Sequence, residues 1–151
     1  MSWDIHISDL PNVATIDEIP DDFQPSSLGT RQALIGKIQE IFPTADFNNP
    51  GWGIIDGQGW SIEVNIGPET ECNGIMLHVR GGEGAVEAVT AIFDHLQFRA
   101  IDLQTGDFFE PRRAMSSFEK WTQYRDQVTT SQPSPPPEAK KRSGLFRRFF
   151  G

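Results

Sequence analysis

The sequence predicts an α+β fold, in which helices pack on one face of a mainly antiparallel sheet to form a two-layer sandwich. Apolar and polar residues alternate from Trp3 to Ser8 and from Trp60 to Ile66, which is the pattern of half-buried strands. Two other segments carry apolar residues at helical spacing. The predicted order of elements is β-α-β-β-β-α-β-α. The helices must bury their apolar stripes, and the predicted strands offer one consistently apolar sheet face for this packing.

The first predicted strand spans Trp3 to Ser8, and a loop rich in Asp, Pro and Ser follows over residues 9–29. Thr30 is predicted to cap a helix that runs to Phe42 and ends before Pro43, which cannot continue a helix. The apolar side of this helix consists of Leu34, Ile35, Ile38, Ile41 and Phe42. The helices are predicted to leave the second face of the sheet bare. As an alternative, the coils after residues 8 and 103 could cover part of that face.

A β-hairpin is predicted around Gly57-Gln58-Gly59, with strands at Trp52 to Asp56 and Trp60 to Ile66. A third strand follows from about Gly74 to Arg80, and Gly81-Gly82 then turns the chain. The spacing of apolar residues indicates that this turn leads into a helix.

That helix is predicted from about Glu83 to Leu96, and a last strand from Phe98 to Leu103. Ser116-Ser117-Phe118-Glu119 matches a capping box, in which a serine and a glutamate satisfy free N–H groups at a helix start. The third helix is therefore predicted to begin there and to end at about Gln127.

The composition changes at Thr129, from a globular mixture to a segment of Ser, Thr, Gln and Pro. This predicts a single globular domain at residues 1–128, a disordered proline-rich linker at 129–143 and a basic-aromatic tail at 144–151. Residues 1–131 hold eight Lys/Arg and 20 Asp/Glu, a net charge of −12, whereas residues 132–151 hold five and one, a net charge of +4. Because so acidic a domain repels phosphate backbones, the composition excludes nucleic-acid binding by the domain.

The compartment is predicted to be the cytoplasm, with peripheral attachment at the membrane as a further option for the tail. Cys72 is a single cysteine, so no internal disulfide is expected. No apolar run approaches the roughly 20 residues of a membrane span, and the first residues lack a secretory signal.

Four segments carry a resemblance to a known family: Ser2-Trp3-Asp4-Ile5, Ile19-Pro20-Asp21-Asp22-Phe23, Trp60-Ser61-Ile62-Glu63 and Met76-Leu77-His78-Val79-Arg80-Gly81-Gly82. Over roughly residues 1–110 the chain resembles an uncharacterised family of small bacterial single-domain proteins. The resemblance implies a bacterial origin and one domain. The family has no established activity, so the resemblance implies no catalytic residues.

Glu63, Asn65, His78 and Arg80 form the candidate ligand site of the domain. The first two share the polar face of one strand, and the last two share that of its predicted antiparallel neighbour, about 5 Å away. Such a face could bind an anionic or peptide ligand, or it could be an ordinary solvated face with a Glu–Arg pair. With His6 from the first strand, His78 and Glu63 are acceptable metal ligands, but there is no HExxH motif or close histidine pair, so no metal and no cofactor is predicted.

The turn Arg80-Gly81-Gly82-Glu83-Gly84 could bind an anion at the helix start. It lacks the P-loop Lys-Ser/Thr and the Rossmann spacing, and Glu83 and Glu87 would repel phosphate, so it is predicted to be only a strand–helix turn. Cys72 follows Glu69 and Glu71, and these acidic neighbours are expected to raise the pKa of its thiol. No catalytic residue is predicted.

The C-terminal tail has a segregated pattern on a helical wheel. Leu145, Phe146, Phe149 and Phe150 fall on one side, and Arg147 and Arg148 take the other. This predicts a short helix that docks on a protein partner or on an anionic membrane surface, with the protein's own acidic body as a third surface and a plain terminus as the alternative.

Together, these patterns favour a non-enzymatic interaction module, an acidic α/β domain with an amphipathic docking tail. The alternative is a small-molecule-binding or enzymatic domain that uses Glu63, His78 and Arg80 on its polar sheet face. A concave pocket above these three residues would favour the alternative, and a flat face would favour the module.

Overall fold

The computed structural model describes the backbone of residues 1–130 and the side chains of residues 1–127. In this part of the chain, an antiparallel seven-stranded sheet packs against three helices, and a second sheet has two short strands. The elements in chain order are β1 (Trp3–Ser8), β2 (Gly29–Thr30), α1 (Arg31–Ile41), β3 (Asp46–Asn49), β4 (Trp52–Asp56), β5 (Trp60–Asn65), β6 (Glu71–Cys72), β7 (Gly74–Gly81), α2 (Gly84–Leu96), β8 (Arg99–Asp102), β9 (Asp107–Phe108) and α3 (Pro111–Thr130). The predicted α+β class is confirmed.

The large sheet has the strand order β3-β4-β5-β7-β1-β8-β9. Strand β1 is an interior strand next to the middle strand β7, and it pairs with β7 on one side and with β8 on the other, so that Ile5 lies opposite both Leu77 and Asp102. The strands β2 and β6 pair in the small sheet. The strands β2, β3, β6 and β9 were not predicted, because three of them have only two residues and β3 has an irregular register, so that none shows an alternating apolar pattern.

One face of the large sheet packs against the helices to form the main core. The side chains that fill it from the three central strands are fully buried: Trp3, Ile5, Ile62, Val64, Ile75, Leu77 and Val79. Helix α2 lies between α1 and α3 and contributes six buried residues, which is why its sequence is the most apolar of the three helices. No helix of residues 1–130 is long and apolar enough to cross a membrane.

Helix α1 begins as predicted, since the Thr30 hydroxyl accepts a hydrogen bond of 3.1 Å from the Ala33 N–H. The predicted start of α3 is wrong. The helix begins at Pro111, a residue whose fixed φ suits a first helical position, and Ser116-Ser117-Phe118-Glu119 lies inside it. Ser117 is buried there and donates a hydrogen bond to Asp102 instead of capping the helix. Residues 131–151, which include the predicted tail, lie outside the described residues.

Among the described residues, the loop that covers the second face of the sheet lies over one half of it. The loop of residues 9–29 lies over β8 and β9, where its apolar side chains form a small second core: Leu10, Val13, Ile16, Ile19 and Phe23 with Ile101, Leu103 and Phe108. Arg99 holds the loop in place by donating to the carbonyls of Pro11 and Val13, at 2.6 and 2.9 Å. The structure therefore agrees with the alternative given by the sequence, in which the coils after residues 8 and 103 cover part of the second face.

The two glycine turns of the sequence pack against each other. Gly82 N–H donates to the Gly59 carbonyl at 2.8 Å, so the β4–β5 turn and the β7–α2 turn form one unit. Gly81 has φ of 100°, and a Cβ there would lie 2.4 Å from the Gly59 oxygen. The glycines of the second turn therefore serve close packing, as the strand–helix interpretation predicted.

Replacement of Gly81 by alanine should destabilise the domain by about 2 kcal/mol, because the residue would have positive φ and would press against the first turn. The measurement is the free energy of unfolding in urea. Gly36→Ala is the matched control, since this helical glycine has no atom within 4 Å of an added Cβ. It should raise stability by about 0.5–1 kcal/mol. Equal effects of the two variants would contradict the packing of the turns.

Candidate functional site

The uncovered half of the second sheet face carries the predicted ligand residues. In the β5–β7 ladder Glu63 lies directly opposite His78, Ser61 lies opposite Arg80, and Asn65 lies opposite Met76. Glu63 and His78, two of the four predicted residues, are therefore direct cross-strand partners. Arg80 lies two residues beyond His78 on β7 and is the diagonal neighbour of Glu63. We call Asp4, Glu63, His78 and Arg80 the charged row.

The charged row is linked by polar contacts across three strands. The His78 imidazole donates from Nδ1 to Asp4 Oδ1 at 2.8 Å, and its Nε2 lies 3.9 Å from Glu63 Oε2. Arg80 Nη1 lies 4.0 Å from Glu63 Oε1. The predicted Glu–Arg pair is thus present. Asp4 was missed, because only the position of β1 beside β7 brings it to His78.

Asn65 does not join the charged row. It is exposed and lies at the other end of β5, opposite Met76 on one side and Trp52 on the other. Trp52 is 42% exposed on this same face, and Ile54 beside Glu63 is half-buried. The face therefore has a charged end, which contains Glu63, and an apolar end, at which Asn65 lies between Trp52 and Met76.

His6 is separated from the charged row, so the set His6, His78 and Glu63 is not brought together. The His6 ring lies over Gly74, where a Cβ would approach it to 2.7 Å, and the residue is fully buried. Burial lowers the pKa of His6 from 6.5 to about 4, because it disfavours the charged imidazolium. Among the side chains that the structure describes, no three His, Cys, Asp or Glu residues are grouped so as to hold a metal ion.

Cys72 is buried against the small sheet, and its thiol donates to the Gly74 carbonyl at 3.1 Å. Burial raises the pKa of this thiol. The predicted direction agrees with the structure, but the cause is desolvation and not the acidic neighbours. A thiol in this state is a poor nucleophile.

A cavity of about 360 Å³ lies between α3 and the turn that joins β8 to β9. Asp102 lines it and accepts hydrogen bonds from Trp3 Nε1 at 3.0 Å, from the Gln104 N–H at 2.9 Å and from Ser117. Burial raises the pKa of Asp102, against the opposing effect of these donors. The sequence did not indicate this residue, since a lone Asp at the end of a strand carries no signal of its distant partners Trp3 and Ser117.

Two further cavities complete the concave surfaces described here. One of about 490 Å³ lies beside Trp60, and one of about 210 Å³ is next to the Asp102 cavity. None of these three cavities, all within the described residues, is lined by Glu63, His78 or Arg80. The charged row thus lies on an open face and not at the floor of one of these cavities.

Comparison with known proteins gives no family for this chain: no family model matches it, and no curated protein matches it. The resemblance to small bacterial single-domain proteins stays a prediction. The function must therefore be inferred from the residues themselves.

The buried His6 should make stability depend on pH. Since its pKa is about 4 in the folded protein and near 6.5 when unfolded, the unfolded chain binds the proton more tightly. Stability should fall as pH drops from about 6.5 toward 4, with a His6 contribution of about 2–3 kcal/mol. Asp102 acts in the opposite direction, because its raised pKa favours proton binding by the folded state.

The measurement is urea unfolding of the wild type and His6→Gln, each at pH 7 and pH 4.5. The variant should lose less stability between the two pH values than the wild type does. His95→Gln on the surface of α2 is the control and should keep the wild-type loss, because it leaves His6 in place. An unchanged pH dependence in His6→Gln would refute this assignment.

Breaking the charged row should cost little. Glu63→Gln or Arg80→Gln should each change the free energy of unfolding by about 1 kcal/mol or less, because these side chains are 24% and 48% exposed and their ion pair is long. Asp102→Ala should cost about 3 kcal/mol, because it leaves buried donors without an acceptor. A loss of several kcal/mol from Arg80→Gln would show instead that the charged row stabilises the fold.

Proposed function

We propose that this protein is a non-enzymatic interaction module, an acidic domain that binds a protein partner through the uncovered half of its sheet. The C-terminal tail is its second attachment point, for a protein partner or a membrane surface. The observation that carries the proposal is the openness of the charged row, whose side chains pair with each other on a face that the loop leaves uncovered.

The composition of this face suits protein binding. Tryptophan and arginine are enriched among residues that dominate binding energy in protein interfaces. Trp52 and Arg80 are 42% and 48% exposed here. The strand positions opposite them on β5, Asn65 and Ser61, are four residues apart, which is about 13 Å along a strand. A partner that spans both ends would cover the charged row between them.

The net charge restricts the kind of partner. The domain, residues 1–131, has a net charge of −12, so a partner with a basic surface would be attracted over a distance and would associate faster. Within the charged row the negative carboxylates are locally paired, since Arg80 lies beside Glu63 and the His78 imidazole donates to Asp4. The net charge of the domain therefore affects the rate at which a basic partner associates. The local pairing of charges in the charged row affects the orientation of the bound partner.

The tail supports the proposal from its sequence pattern alone. Its docking residues, Leu145, Phe146, Arg147, Arg148, Phe149 and Phe150, lie outside the described residues. A short amphipathic segment beyond the domain is typical of a second, weak contact, and two weak contacts on one chain increase the overall affinity.

A second candidate function is a small-molecule-binding or enzymatic domain that uses Glu63, His78 and Arg80. One observation favours it: the His78 imidazole lies between two carboxylates, with Nδ1 fixed by Asp4 and Nε2 directed toward Glu63. A histidine oriented by a carboxylate can act as a general base. Against this candidate, the three cavities described above are lined by other residues.

The test is an affinity capture from a bacterial lysate with full-length protein as bait. Trp52→Ala/Arg80→Ala should reduce capture of a specific partner by about tenfold or more, because both residues are exposed on the proposed interface. Arg112→Ala is the matched control, since this arginine is 80% exposed on α3 and outside the face. It should leave capture unchanged.

A version that ends at Ser131 separates the contribution of the tail from that of the face. If capture depends on neither the face nor the tail, the interaction module is refuted. If a small molecule binds the wild type and His78→Ala abolishes that binding, the second candidate function replaces it.

A further inference from the structure

We infer that the groove beside Trp60 is the docking site for this chain's own C-terminal tail, residues 145–150. The inference rests on the proposed function in treating the tail as a docking element, and it adds where the tail binds when no partner is present. The groove, which we call the Trp60 groove, lies between the end of α1, the start of α2 and the β4–β5 turn. Its volume is about 490 Å³, and its lining consists of Ile41, Phe42, Gln58, Trp60, Gly84, Glu87, Ala88 and Ala91.

Trp60 forms one wall of the groove, and small residues of α2 form another. An added Cβ at Gly57 would fall 1.9 Å from the Trp60 ring, and one at Gly84 would fall 2.9 Å from it, so the indole lies close against both turns. Helix α2 presents Ala88 and Ala91 here, which are small side chains one turn apart. The resulting hollow has apolar walls and a volume in the range of ligand-binding pockets, and it could accept aromatic side chains.

Helix α3 contacts the glycine turn beside this groove through Arg125. Arg125, near the end of α3, donates to the Gly81 carbonyl at 3.2 Å, and Gly81 is the ladder partner of Trp60. From Thr130 the chain has residues 131–144 before the tail, and 14 residues can span about 43 Å at the polyproline rise. This length is ample for a return from the end of α3 to the Trp60 groove.

The charges of the two segments are complementary. Glu87 lines the groove, and Glu83 directly precedes Gly84 at its edge. The tail carries Arg147 and Arg148 on the side opposite its apolar residues. With Leu145, Phe146, Phe149 and Phe150 directed into the groove, the two arginines would face its acidic margin and the solvent, where opposite charges attract.

The tether makes such docking effective even if the contact is weak. A segment joined by a short linker has an effective concentration in the millimolar range at a nearby site. The groove opens on the helix side of the sheet, since Trp60 pairs with Gly81 and shares the face of Ile62 and Val64, which pack in the main core. The charged row lies on the other face, so a docked tail would leave it accessible. A partner or membrane that takes the tail must first displace it from the Trp60 groove.

Paramagnetic relaxation enhancement in the full-length protein tests this inference. A nitroxide is attached to Gly151→Cys, while Cys72 is buried and protected from labelling. The label should broaden the Trp60 indole N–H and the amides of Ala88 and Ala91, and the broadening should persist on tenfold dilution. Phe146→Ser/Phe149→Ser should abolish it, and so should Ala91→Lys, which places a long side chain in the groove and adds a positive charge that repels Arg147 and Arg148.

The control is Asp94→Ala, an exposed position one turn further along α2, which should leave the broadening unchanged. Absence of broadening at the groove overturns the inference, and so does broadening that appears only between chains in a mixture of labelled and isotope-enriched protein. The proposed function fails separately: if the groove shows no broadening but the version ending at Ser131 still loses its captured partner, only the intramolecular docking is wrong.

Discussion

The interior position of β1 is the constraint on which the rest of the structure depends. This strand comes first among the described elements, yet it lies inside the sheet, paired with β7 on one edge and with β8 on the other. Its alternate residues face the two sides differently. Trp3 and Ile5 enter the main core, whereas Asp4 and His6 face the second side, where Asp4 reaches His78 and His6 is buried. One strand thus determines both the core and the charged row.

The hydrogen bonds of Asp102 join the same strand to the helix layer. This buried carboxylate accepts from Trp3 on β1 and from Ser117 on α3, and it lies directly opposite Ile5. Burial of a carboxylate is costly, and the three donors reduce that cost only in part, as the raised pKa of Asp102 shows. The arrangement exchanges some stability for a fixed position of α3, which in turn places Arg125 against the β7–α2 turn.

Local sequence patterns predicted the helices and long strands because those signals involve neighbouring residues. Thr30 and Pro43 mark α1, and alternation marks β1, β5 and β7. The charged row was predicted in part, since the β5–β7 pairing follows from chain order but the neighbour of β1 does not. Asp4 was therefore missed, and His6 was offered as a ligand although the loop of residues 9–29 buries that side of the sheet. The capping box misled because Ser117 satisfies a distant carboxylate, a contact without a local signature.

The interior position of β1 also has a consequence for synthesis of the protein on the ribosome. Strand β7 is the first partner of β1 to be synthesised in the large sheet, and Leu77, which lies opposite Ile5, is 72 positions later in the chain. At usual elongation rates of about 5–20 residues per second, this interval is about 4–15 seconds. During that time the alternating apolar residues of β1 have no sheet to enter, and such unpaired strands favour association between nascent chains. The large sheet can therefore form only after β7 and β8 have been synthesised, long after β1.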